Sequence, residues 1–175
     1  MKILIVTNKK DELWSLIKIQ TTVAGASVVT GQQFNNPTAT DLIWLPNAAS
    51  VDNDVFELVD AIDQRKINPQ KIVMLAVAGI NDEVEPTQLE QRFGSQYSDT
   101  ILAYQYAVKM IDELELPYTV IRAAKTIVEP TTSVISNEGQ PILGTQIGER
   151  QLALLVAKAV LTDQYLNQSI GIADN

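Results

Sequence analysis

Residues 99–124 read DTILAYQYAVKMIDELELPYTVIRAA, and this stretch decides the fold. Ile101, Tyr104, Val108 and Ile111 recur at spacings of three and four, which puts them on one face of a helix. Asp99 stands where an N-cap belongs, its carboxylate able to accept from the first unpaired amides. Lys109, Asp112, Glu113 and Glu115 are left mainly to water. Pro117 stops the helix, because it has no N–H and disfavours helical backbone at Leu116. Tyr118 to Ile121 then offers β-branched and apolar side chains to both faces of a buried strand. A helix feeding directly into such a strand is half of a βαβ crossover.

The flanking sequence repeats the theme. Lys2 to Thr7 reads as a central strand, apolar on both faces. Helices are expected over Glu12 to Val23, broken by Gly25, and over Val51 to Lys66, with Val55, Leu58, Val59 and Ile62 inward. Short strands are expected at Ser27 to Thr30 and Asp41 to Leu45, separated by a polar loop through Asn35-Asn36-Pro37. Lys71 to Ala78 is the most apolar strand, ended by Gly79. Gln88 to Tyr97 reads as a short helix broken at Gly94. Lys125 to Gly144 is irregular apart from a minor strand at Ser133 to Ile135. Glu149 to Leu161 is a helix and Ser169 to Ala173 a last strand. Alternating strands and helices, with strands too apolar for a half-exposed sheet, predict an α/β fold with a mainly parallel sheet.

The chain has 175 residues, a length that predicts one domain over residues 1–175. It has no cysteine and no histidine, so thiolate nucleophiles, disulfides and imidazole bases are excluded. Acid–base chemistry falls to Asp, Glu, Lys or Tyr. A net charge of −8 argues against a nucleic-acid partner, which needs a clustered basic face. The apolar run after Met1-Lys2 is too short for a signal segment or a membrane span, which predicts a cytoplasmic protein without a membrane partner.

In open α/β sheets, ligands bind beyond the carboxyl ends of the strands. The candidate binding residues are therefore Thr7, Asn8 and Lys9; Leu45, Pro46 and Asn47; Ala76, Val77 and Ala78; and Arg122, Ala123 and Lys125. The Thr7 turn has no glycine. Two lysines and a helix N-terminus could serve an anion there, but Asp11 and Glu12 occupy the same helix end and would repel a phosphate. Arg122 is read either as a phosphate or carboxylate contact or as an ion pair with Glu129 or Glu149. Asp82, Glu83 and Glu85 read as a solvated acidic loop rather than a metal site. Tyr104 and Tyr106 lie five and three residues before Lys109, not the four of one helical turn, and Tyr104 is assigned to the core.

Two runs carry a family resemblance. Lys71 to Val84, KIVMLAVAGINDEV, resembles the fifth strand and following loop of the NmrA-like, NAD(P)H-binding atypical short-chain dehydrogenases/reductases. Leu114 to Ala123, LELPYTVIRA, resembles their sixth strand. Gly144 to Arg150 and Ser169 to Ile172 follow in the family's order, so the likeness covers about residues 41–173. It implies a three-layer Rossmann-like fold with helices on both faces of the sheet, and NAD or NADP as cofactor. The departures are equally specific. The glycine motif is missing, and the N-terminal part is short by about one strand–helix unit, with Gly25 to Gly31 likened to the family's third strand. The family's catalytic serine falls at about Val77, and its Tyr-x-x-x-Lys at Thr100 and Tyr104. Arg-Pro becomes Arg122-Ala123, and Ser-Arg becomes Gly148-Glu149.

Three functions follow from this reading. The first expectation is a degenerate family member with weakened or lost catalysis, acting as a nucleotide sensor or interaction module. The second is an NAD(P)H-dependent oxidoreductase for a small molecule, quinone or flavin, with no catalytic residue assigned. The third is a different α/β binding protein of flavodoxin type. Leu102, Tyr106 and Met110 form either an apolar stripe for a homodimer or a surface covered by the N-terminal part of the chain.

Overall fold

The structure is a computed structural model that describes residues 1–175. In chain order the elements are β1 (Lys2–Thr7), α1 (Glu12–Val23), β2 (Ser27–Gly31), β3 (Asp41–Leu45), α2 (Val51–Asp63), β4 (Lys71–Val77) and α3 (Pro86–Phe93). There follow α4 (Tyr97–Glu113), β5 (Tyr118–Ala123), β6 (Lys125–Ile127), β7 (Val134–Ser136), β8 (Gln146–Gly148), α5 (Glu149–Leu161) and β9 (Gln168–Ala173).

Seven strands make one sheet in the order β2-β1-β3-β4-β5-β9-β7. All neighbours are parallel except β7, which runs antiparallel to β9. Strand residues alternate between the faces. Leu42, Trp44, Ile72, Met74 and Val120 pack with residues of α2 and α4. Ile43, Val73, Ile121 and Ile170 pack with residues of α1 and α5. Each such side chain, fully buried, contributes about 1.5–3 kcal/mol. The result is the expected three-layer, Rossmann-like α/β fold. No helix is long and apolar enough to cross a membrane.

Two expectations need correction. β2 pairs directly with β1, so Ser27–Gly31 takes the second-strand place of the standard 3-2-1-4-5-6 order. What is absent is the third strand, and β2 is left as the edge. Asp99 does not cap α4: the N-cap is Gln96, without a side-chain bond, and Asp99 lies in the first turn, where its charge suits the helix dipole. The helix ends at Glu113, the residue whose carbonyl the missing N–H of Pro117 leaves without a helical donor, and Glu115 then turns the chain at a φ of 54°.

Where the strand-end clefts form

β1 lies between β2 and β3, so successive crossovers leave it in opposite directions. This switch point opens a crevice at the carboxyl edge of the sheet. A cavity of about 580 Å³ fills it, lined by Thr7, Asn8, Lys9, Asp11, Leu45, Pro46, Asn47 and Val77, and also by Arg92, Phe93 and Tyr104. A second hollow of about 250 Å³ shares Thr7, Asn8 and Leu45 to Asn47 and extends under the end of β2 to Gln32, Gln33, Phe34, Asp54 and Glu57. A third, about 200 Å³, adjoins the ends of β4 and β5 and includes Ala78, Arg92 and Lys125.

Candidate functional site

Nine of the twelve candidate residues line these cavities; Ala76, Arg122 and Ala123 do not. Strand pleating turns the Ala76 and Ala123 side chains into the two core layers. Of its two readings, Arg122 takes the ion pair, with neither expected partner. Its guanidinium is 0% exposed and bonds Glu83 at 2.5 Å, Ser169 Oγ at 3.0 Å and the Ser169 carbonyl at 3.2 Å. Glu83, read as part of a solvated loop, is therefore its buried partner, in place of Glu129 or Glu149. The second Glu83 oxygen accepts the Asn81 amide at 2.7 Å. Gly79, at a φ of 111°, lets the chain turn sharply enough after β4 to bring this loop back over the sheet.

Arg92 is the arginine that reaches the clefts. Its Nη1 donates to the Ala123 carbonyl at 2.8 Å, and its guanidinium stacks 4.7 Å from the Phe93 ring centre. Beside it is Tyr104, 4% exposed. The Tyr104 ring belongs to the core, as expected, yet the residue also lines the crevice. Burial pushes its phenol up to about 12, against the opposing pull of Arg92, and pushes Arg92 down to about 10. Around neutral pH the pair is therefore a protonated phenol beside a cation. Neither residue was identifiable as a site residue from spacing: Arg92 comes from a short helix of its own, and only the fold brings it to the crevice that Tyr104 also lines.

The Thr7 turn is locally closed. Thr7 Oγ1 accepts the Lys9 amide at 3.1 Å, and Asp11 caps α1 by accepting the Trp14 amide at 3.0 Å. The remaining first-turn amides of α1 still point beyond the sheet. Carboxylates compete for this positive end. Glu149, at the start of α5, has its acidity weakened by burial and then by the charges of Asp11 and Glu12, and its Oε2 is buried without a partner. Its folded-state pKa lies above the ordinary 4.5, so its contribution to stability falls as pH rises through that raised value. Glu149→Gln is expected to raise the melting temperature at neutral pH and to change little in acid, where the wild-type carboxyl is already protonated. An equal shift at both pH values, by calorimetry, would contradict this. No group of three or more acidic side chains is placed to hold a metal ion.

The crevice offers a dinucleotide a cavity at the switch point beside the N-terminus of α1 and a separate hollow under the second strand, with Asp11 as the acidic residue in the cavity wall. A doubly wound sheet with a crevice at its switch point defines the class of nucleotide-binding α/β proteins, and the run β2-β1-β3-β4-β5 is an order that flavodoxin-type sheets also use. The chain belongs to the NAD(P)H-binding family, whose model matches residues 10–163. Solved structures share the fold. One is a short-chain dehydrogenase/reductase from Veillonella parvula DSM 2008 in complex with NADP: 16% identity, TM-score 0.75, covering 99% of this chain and 94% of that one. Another is ChuY, an anaerobillin reductase from Escherichia coli O157:H7: 11% identity, TM-score 0.72, covering 99% and 97%. At these identities the likeness is one of fold. No curated protein sequence gives a significant match.

Proposed function

We propose that residues 1–175 form one dinucleotide-binding domain of the NmrA-like branch that reduces a small molecule. The observation carrying this reading is the Tyr104–Arg92 pair in the crevice that begins at the Thr7 turn. Bound NAD(P)H would supply a hydride. Tyr104 holds a proton at its hydroxyl for an oxygen that gains negative charge, and Arg92 stabilises that charge. Leu75, Val77 and Phe93 keep this end apolar. Thr7, Asn8, Lys9 and the start of α1 would hold the pyrophosphate, and Gln32 and Gln33 the adenosine ribose.

Asp54 and Glu57 line the adenosine end, and no Arg or Lys does. A 2′-phosphate there would meet like charge, whereas NADP sites commonly place an arginine nearby. We therefore expect NAD(H) to bind at least roughly tenfold tighter than NADP(H). Calorimetric titration of all four nucleotides tests the reading, and silence from all four would end it.

A non-catalytic sensor is the second reading. It is favoured by Val77 at the serine position and by the carboxylates around the α1 terminus, and it predicts binding without turnover. For the homodimer, the support is an exposed cluster: Leu102 is 61% and Phe56 49% exposed, and Phe56 lies 5.6 Å from Tyr106, centre to centre. The N-terminal half of the chain thus covers Tyr106 only in part and leaves Leu102 open. Sedimentation as a monomer at high concentration would remove this proposal.

A further inference from the structure

We infer that the cleft between Arg92 and Lys125 is a receptor for the carboxylate of a small organic acid. Its role as a substrate site rests on the reduction proposed above; the binding itself rests on the cleft's own chemistry. The chain carries 21 acidic and 13 basic residues, yet no acidic residue lines this cavity, while Arg92 and Lys125 both do. Neither cation has a carboxylate partner in the chain. An arginine partly withdrawn from water without a counter-ion is unfavourable, and an entering anion would relieve that.

The guanidinium is also held in place. The Ala123 carbonyl accepts a hydrogen bond from Nη1 and the Phe93 ring supports the plane, so little side-chain freedom remains to be lost on binding. Its other N–H groups form a fork suited to a planar carboxylate. Uncharged Gln88 and Gln146 and the apolar Val84 and Leu89 complete the walls, which suits an acid with a hydrocarbon or ring body.

This is not the seat of the cofactor's pyrophosphate. The Thr7 turn ends β1, whereas Arg92 is fixed to the end of β5, three strands away in the sheet. At a strand spacing of about 4.8 Å, that separation is about 14 Å. Arg92 lines both this cleft and the crevice, so the guanidinium that holds a carboxylate here also borders the cavity that Tyr104 lines.

The test uses benzoate and benzamide, which share a shape and differ in charge, with inorganic phosphate as a third probe. Each is titrated into the full-length protein without nucleotide, at low ionic strength, by ligand-observed NMR. Benzoate is expected to bind at least about tenfold tighter than benzamide and tighter than phosphate. Arg92→Gln, which keeps a donor for the Ala123 carbonyl, is expected to weaken benzoate about tenfold or more, and Lys125→Gln about threefold. Should Arg92→Gln fail to fold, exposed Lys125 decides the matter. No preference for the acid, a preference for phosphate, no binding of either benzene probe, or benzoate affinity unchanged in the folded variants would each overturn the inference. Nucleotide titrations on the same samples keep the two readings apart. Benzoate binding with nucleotide silence removes the reductase and leaves the receptor; nucleotide binding without acid preference removes only the receptor.

Discussion

Glu83→Ala is expected to destabilise the fold by about 3–5 kcal/mol, because it leaves the Arg122 guanidinium charged and unpaired inside the protein. Arg122 is 0% exposed and Glu83 8%, so water cannot replace the lost carboxylate without opening the structure. Ser169 offers only neutral oxygens, at 3.0 and 3.2 Å. The loss also frees the Asn81 amide and with it the turn from β4 toward α3. Denaturant unfolding measures the effect. Replacing both partners, as Glu83→Leu with Arg122→Met, should recover much of the loss, since an apolar pair needs no charge desolvated. A Glu83→Ala variant within about 1 kcal/mol of wild type would show that the pair is not closed to solvent.

Tyr104→Phe is the second large effect, this time on turnover. With NADH and a quinone or flavin acceptor, the rate should fall about 10²–10⁴-fold, the range for loss of a positioned general acid. Nucleotide affinity should hold, because the variant keeps the ring that packs in the core and removes only the hydroxyl. Since that hydroxyl is pushed up to about 12, it stays protonated through neutral pH and loses its proton only as pH rises toward that value. The wild-type rate should therefore show no titration of this group between about pH 6 and 9. Unchanged turnover in Tyr104→Phe would take the proton-handling role from this residue. Binding of NADH with no turnover in the wild type would favour the sensor.

Much of the frame was legible from apolar periodicity and from glycine and proline punctuation. The bounds of β1, α1, β3 and α5 coincide with the expected ones, because each couples a clear period to a clear stop. The strand-end rule likewise located the Thr7, Leu45 and Val77 edges of the crevice. It failed at Arg122. A strand end identifies a position along the chain, while pleating decides whether the side chain meets the cleft or the interior.

The sequence by itself determined the α/β class, the parallel core strands, the absence of thiol and imidazole chemistry, and an N-terminal turn without glycine. These follow from residue types and local spacing. Only the tertiary structure decided which strand β2 replaces, that Glu83 rather than Glu129 or Glu149 neutralises Arg122, and that Arg92 and Tyr104 line one crevice. The first depends on strand pairing across the sheet. The others join side chains 39 and 12 positions apart in the sequence, brought together by burial and packing that no local period encodes.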